Sequence, residues 1–68
     1  MNGTQFNTYY VKNLADSGQP MPVRAASRHL AAKVVVGRDT DTGWTFGVWT
    51  EQEWRDEKSP TEYSAYDL

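Results

Sequence analysis

Hydrophobic and polar side chains alternate in three stretches of this 68-residue chain, and one helical pattern lies before the last of them. Residues 5–13 are rich in aromatic and β-branched residues, which predicts a first strand. Alternation places two sets of side chains on opposite strand faces: Phe6, Thr8, Tyr10 and Lys12 on one, and Asn7, Tyr9, Val11 and Asn13 on the other. The pattern leaves open which of these faces is buried.

The second predicted strand runs from residue 21 to 26, after turn-forming residues at 15–18. Pro20 and Pro22 lack the amide hydrogen that a strand donates to its neighbour. This strand is therefore predicted to lie at an edge of the sheet or to start irregularly.

The third predicted strand covers residues 44–50 and alternates most clearly. One face carries Trp44, Phe46, Val48 and Thr50, and the other carries Thr45, Gly47 and Trp49. The first face is expected to cover the helix. Trp49 is then expected to point away from the core and to be exposed, unless a later segment folds over it.

A helix is predicted after Ser27, whose hydroxyl suits the N-cap position, and Gly37 suits the C′ position after its end. Its expected apolar face consists of Leu30, Ala31, Val34 and Val35. Two alternatives stay open. The helix could begin at Pro22 instead, or residues 34–36 could form a strand that pairs with residues 44–50.

The last third of the chain contains two segments with the S/T-x-x-E spacing of a capping box, at residues 50–53 and 59–62. The first could equally be a hairpin turn that leads to a short strand around Trp54. Residues 58–68 could instead form a flexible acidic tail. The predicted fold is thus a single α+β domain over residues 1–68, with a small antiparallel ββαβ sheet, a fourth strand left open, packed on one helix.

Composition narrows the class of protein. The chain has no apolar run long enough to span a membrane and no signal-peptide pattern at residues 1–10, so a soluble cytoplasmic protein is expected. The absence of cysteine is compatible with a reducing cytoplasm but does not select it. Residues 1–38 contain five basic residues and one acidic residue, whereas residues 39–68 contain two basic and eight acidic residues. This bipolar charge suits contact with another macromolecule.

Catalytic and metal-binding patterns are weak. His29 is the only histidine and has no second ligand at a suitable spacing. Residues 39–43 alternate carboxylates as calcium loops do, but Gly43 comes one position early and Thr50 stands where the loop needs Glu. We therefore expect no enzymatic activity, no cofactor and no metal.

Large aromatic residues are the remaining signal, because three Trp, four Tyr and two Phe exceed what one helix on a small sheet can enclose. Exposed aromatic and arginine side chains are typical anchors of protein interfaces. The predicted partner-binding residues are Trp49, Arg38, Arg24, Arg28, Lys33 and Trp54.

The spacing Val23-x-Ala25-x-Ser27-x-x-x-Ala31-x-x-x-Val35, between an aromatic strand and a Trp-bearing strand, resembles the core of very small phage and mobile-element proteins. Some type I anti-CRISPR proteins are among them. The resemblance implies a stoichiometric inhibitor that binds a subunit of a host defence complex and blocks its DNA path. It carries over no functional residue, because the matched positions belong to the core and the helix cap.

The expected function is a non-enzymatic inhibitor or adaptor that binds a host protein complex, and the resemblance implies a type I CRISPR effector. One alternative is a nucleic-acid-binding module that uses the basic residues of the first half, although a net charge of −2 disfavours it. A regulatory subunit of a cellular enzyme is another alternative.

Overall fold

A computed structural model of the chain describes residues 5–15, 17–38 and 45–67, and every structural statement below concerns these residues. The predicted α+β class is confirmed, and the fourth strand is present. The elements in chain order are β1 (Asn7–Asn13), β2 (Met21–Ala25), α1 (Arg28–Arg38), β3 (Thr45–Thr50), α2 (Glu51–Arg55), β4 (Thr61–Ser64) and a 3-10 turn at Ala65–Asp67.

The four strands form one antiparallel sheet in the order β2-β1-β3-β4. The predicted edge position of β2 is confirmed, and Pro22 lies opposite Tyr10 of β1. At the other edge, Thr61 and Glu62 pair with Val48 and Gly47 of β3. The prediction of a helix start at residues 59–62 is therefore wrong, since this segment leads into β4.

The main core lies between α1 and one face of the sheet. Its buried residues come from β1, β2, α1 and β3: Tyr9, Val11, Val23, Ala25, Ala31, Ala32, Phe46 and Val48. The structure thus selects the Tyr9 and Val11 face of β1 as the buried one. The expected contact of Phe46 and Val48 with the helix layer is confirmed.

The start of α1 is confirmed at the predicted cap. The Ser27 hydroxyl accepts a hydrogen bond from the Leu30 amide at 3.2 Å, and the Ser27 carbonyl accepts one from the Ala31 amide at 3.0 Å. A helix that begins at Pro22 is excluded because Pro22 lies in β2. A strand at residues 34–36 is excluded because these residues lie in α1.

Two predicted details of α1 are wrong. Gly37 lies inside the helix and not at its C′ position. The buried face is shifted by one position: Ala31 and Ala32 are fully buried, whereas Leu30 and Val34 are 44% and 38% exposed. Because alanine side chains are small, the helix backbone can lie close to the sheet where Ala31 and Ala32 face it. The bulkier Leu30 and Val34 side chains then lie beside this contact and remain partly exposed.

The opposite face of the sheet is also covered at its centre. A Cβ atom on Gly47 would lie 2.8 Å from Leu14 Cδ2 and 3.0 Å from the Cβ and Cγ atoms of Pro60. Leu14 and Pro60 therefore pack directly on the glycine backbone. The strand β3 is consequently buried on both faces, from Phe46 to Trp49.

Replacing Ser27 with alanine is expected to lower the free energy of unfolding by about 1 kcal/mol, because the Leu30 amide loses its acceptor. Ser27→Asp should be nearly neutral, since a carboxylate caps the same amide. Thermal or urea unfolding of both variants measures the difference. Equal losses in the two variants would contradict the assigned cap.

Replacing Gly47 with alanine is expected to destabilise the fold by about 1–3 kcal/mol, because the added methyl group has to displace Leu14 and the rigid ring of Pro60. Gly18→Ala is the matched control, since a Cβ there meets no atom within 4 Å. Urea unfolding compares the two variants. Equal stability of both would show that Leu14 and Pro60 do not pack tightly on Gly47.

Candidate functional site

The short helix α2 begins with the predicted capping box. The Thr50 hydroxyl accepts a hydrogen bond from the Glu53 amide at 3.1 Å, and the Glu53 carboxylate accepts one from the Thr50 amide at 2.9 Å. The alternative of a hairpin turn leading to a strand around Trp54 is therefore wrong. Five residues are too few for a stable isolated helix, so this helix depends on its caps and on tertiary contacts.

Arg28 connects the starts of the two helices. The strand register places Ala25 and Thr50 at the same end of the sheet, just before α1 and α2 begin. There, Arg28 Nη2 donates to Glu53 Oε2 at 2.8 Å. The predicted partner-binding residue Arg28 is thus engaged within the fold, although its buried Nε atom finds no acceptor among the described residues.

The pKa of Glu53 is lowered from its ordinary value. The hydrogen bond from the Thr50 backbone amide is the main cause, and the adjacent Arg28 guanidinium acts in the same direction against partial desolvation. The ionised carboxylate is therefore the form that caps α2 and pairs with α1.

The C-terminal end of α2 forms a Schellman turn. The Glu57 amide donates to the Trp54 carbonyl at 3.2 Å, and the Lys58 amide donates to the Glu53 carbonyl at 2.9 Å. Glu57 occupies the left-handed position with a φ of 56°, where glycine is the usual residue. The turn directs the Lys58 carbonyl at the sheet, where it accepts a hydrogen bond from Trp49 Nε1 at 2.8 Å.

Three rings form an aromatic cluster on the sheet face opposite α1: Tyr10, Trp49 and Trp54. The Trp54 ring contacts Trp49 edge to face, with centroids 5.2 Å apart, and contacts Tyr10 with centroids 6.0 Å apart. Trp54 nevertheless remains 38% exposed. Next to this cluster lies an open pocket of about 420 Å³, lined by Trp49, Trp54, Glu57 and Lys58.

The predicted exposure of Trp49 is wrong. Its side chain does point away from α1, as the alternation indicated, but Trp49 is only 8% exposed. Trp54 and the Lys58 turn cover it. Trp54, also predicted as a partner-binding residue, is the exposed ring of the pair.

The other predicted site residues do not come together. Arg24 is exposed on the β2 edge, and its guanidinium donates to the Phe6 carbonyl at 3.3 Å. Lys33 is exposed on α1, the helix that covers the opposite sheet face. Arg38 is the last residue of α1, but its side chain and the loop at residues 39–43 lie outside the described part of the chain.

Sequence reasoning missed two members of the site. Alternation places Tyr10 on one face of β1 but predicts no contact for its ring. Only the long-range pairing of Tyr10 with Trp49 brings that ring to Trp54. In the sequence, Glu57 is only one of the eight acidic residues between positions 39 and 68. No glycine marks its left-handed turn, so the sequence carries no signal for that conformation.

The described residues form no metal-binding cluster. They contain no group of three or more His, Asp or Glu side chains that could hold a metal ion. The His29 ring packs edge to face on Tyr63, with centroids 6.0 Å apart. Among the described helices, none has the length and apolar character needed to cross a membrane.

Comparison of the chain with protein-family models, with curated proteins and with solved structures gave no match. Its function therefore has to be argued from its own surface. The aromatic cluster, held by two ring contacts and the hydrogen bond from Trp49 to the Lys58 carbonyl, is the surface feature that bears most directly on function.

Acidification is expected to remove the stabilisation that Glu53 supplies. Because folding lowers its pKa below the ordinary 4.5, this contribution is complete above that pH and is lost as the pH falls through the folded value. Wild-type unfolding free energy should therefore drop more steeply below pH 4.5 than that of Glu53→Gln.

Urea unfolding at several pH values between neutral and acidic measures this difference. Glu51→Gln is the control, because Glu51 lies in the same helical turn, is exposed, and forms no hydrogen bond or ion pair with the described residues. Parallel pH profiles for wild type and Glu53→Gln would contradict the assigned role of this carboxylate.

Proposed function

We propose that this chain is a non-catalytic protein-binding module, an inhibitor or adaptor, that contacts its partner through the aromatic cluster. The observation that supports this function is Trp54, a large ring left more than one-third exposed while two other rings hold it in place. Exposed, immobilised tryptophan residues are frequent energetic centres of protein interfaces.

Preorganisation supports the same function. Capping at both ends fixes α2, and the Arg28 to Glu53 ion pair ties its first turn to α1. A side chain that is already ordered loses little conformational entropy when a partner covers it. Trp54 can therefore contribute most of its contact energy to binding.

The nature of the partner is part of the proposal. A nucleic acid would need a continuous basic surface, but Arg24 and Lys33 belong to different layers of the fold and Arg28 is paired with Glu53. A protein partner does not need that surface. The distribution of charge therefore favours a protein over a nucleic acid.

The sequence resemblance to small type I anti-CRISPR proteins supports the finer proposal. It makes a subunit of a type I CRISPR effector, in the cytoplasm of a host cell, the first partner to test. Binding there would inhibit stoichiometrically by covering the subunit surface along which DNA passes, and it would require no catalytic group.

Trp54→Ala is expected to weaken partner binding by about 30-fold or more, as for other interface hot spots, while the domain remains folded. Binding of purified wild type and variant to a reconstituted type I effector is measured by titration calorimetry. Affinity purification from nuclease-treated host lysate extends the test to other partners. Leu30→Ala is the matched control, because Leu30 is an apolar residue on α1 that is slightly more exposed than Trp54.

Trp49→Ala provides the structural comparison, since truncation of a buried tryptophan costs about 3–5 kcal/mol and here also leaves the Lys58 carbonyl without its donor. Circular dichroism and urea unfolding separate this loss of stability from a loss of binding. Partner binding that survives Trp54→Ala but not Leu30→Ala would move the interface to α1 and overturn the proposed surface.

A further inference from the structure

The pocket beside the aromatic cluster has two indole rings as walls. Trp49 and Trp54 stand at 74° to each other, and the pocket between them and the Schellman turn is open to solvent. Indole faces attract cations through their ring quadrupole more strongly than the other aromatic side chains do. Its volume of about 420 Å³ is ample for the planar head group of one side chain.

Glu57 supplies the charge at this pocket. Its carboxylate forms no hydrogen bond or ion pair with the part of the chain that the structure describes. The nearby acids are occupied instead: Glu53 binds Arg28, and Asp56 accepts two hydrogen bonds from the Gln52 amide group. Glu57 is therefore the free acceptor among the pocket-lining residues.

The backbone at Glu57 argues for a role of its side chain. A φ of 56° is unfavourable for a residue with a Cβ atom, and glycine would satisfy the same turn without that cost. Strained residues of this kind concentrate at binding sites. A carboxylate side chain at a position that favours glycine, in the lining of a pocket shared with two indoles, is accounted for if the carboxylate binds a ligand.

We propose that this pocket binds the guanidinium group of an arginine side chain presented by the partner protein, which rests on the proposed function above. A guanidinium is planar, stacks on an indole face and binds a carboxylate with two parallel hydrogen bonds. Lys58 also lines the pocket, but its exposed, flexible ammonium group can extend into water when a second cation enters.

The test uses the full chain and two peptides that differ only in charge. Acetyl-Gly-Arg-Gly-amide is titrated against acetyl-Gly-citrulline-Gly-amide, in which an uncharged urea group replaces the guanidinium. The indole amide signals of Trp49 and Trp54 are followed by nuclear magnetic resonance at constant ionic strength. The arginine peptide is expected to give saturable shifts with a Kd of about 1–10 mM, and the citrulline peptide to bind at least about fivefold more weakly.

Two substitutions at Glu57 isolate the carboxylate. Glu57→Gln should weaken arginine binding at least about fivefold, whereas Glu51→Gln should leave it unchanged. Glu57→Gly should weaken arginine binding at least about fivefold as well, while raising the melting temperature, because glycine adopts the left-handed backbone without strain. Unchanged arginine binding in either Glu57 variant, or equal binding of the two peptides, would overturn the inference.

The outcomes also separate this inference from the proposed function. Loss of the protein partner in Trp54→Ala, without any arginine preference of the pocket, retains the interface and overturns the guanidinium site. Arginine binding that requires Glu57, together with full partner binding by Trp54→Ala, retains the pocket and overturns the proposed protein interface.

Discussion

The hydrogen bond from the Trp49 indole to the Lys58 carbonyl holds α2 and the turn after it on the sheet face opposite α1. A single helix covers only one face of a four-stranded sheet, and so short a chain has few residues left for the other face. Trp49 lies on that other face, and its buried N–H group requires an acceptor. The Lys58 turn supplies this acceptor, and Trp54 then packs on the ring.

This arrangement explains how a helix of only five residues persists. Its first turn is capped by Thr50 and joined to α1 by the ion pair between Glu53 and Arg28. At its last turn, the carbonyls of Trp54 and Glu53 accept hydrogen bonds from the amides of Glu57 and Lys58. These interactions fix Trp54 in a half-covered position. A rigid, partly exposed ring beside an unpaired carboxylate is suited to recognition, and it is the physical basis of the proposed interface.

The candidate site could be predicted only in part. The Thr50 capping box follows from a short residue spacing and is confirmed. The partner-binding role of Trp54 stays a prediction, although its ring is partly exposed. The alternation of β3 correctly directed Trp49 away from α1 but could not show what covers it. The helical period predicts Leu30 and Val34 on the buried face, whereas both are partly exposed. A helical period identifies an apolar stripe but does not fix which side of that stripe faces the sheet.

The sequence by itself determined the local features: the strand alternation, the Ser27 cap of α1 and the edge position of β2 imposed by Pro22. Each depends on interactions within a few residues or on a missing amide hydrogen. Only the tertiary structure decided which strand faces are buried, that Arg28 meets Glu53 across 25 residues, and that Glu57 adopts a left-handed turn. The buried faces and the Arg28 to Glu53 pair depend on contacts between segments distant in sequence, whose energies no local pattern encodes. The Glu57 turn is closed by hydrogen bonds within residues 53–58, but no glycine marks it in the sequence.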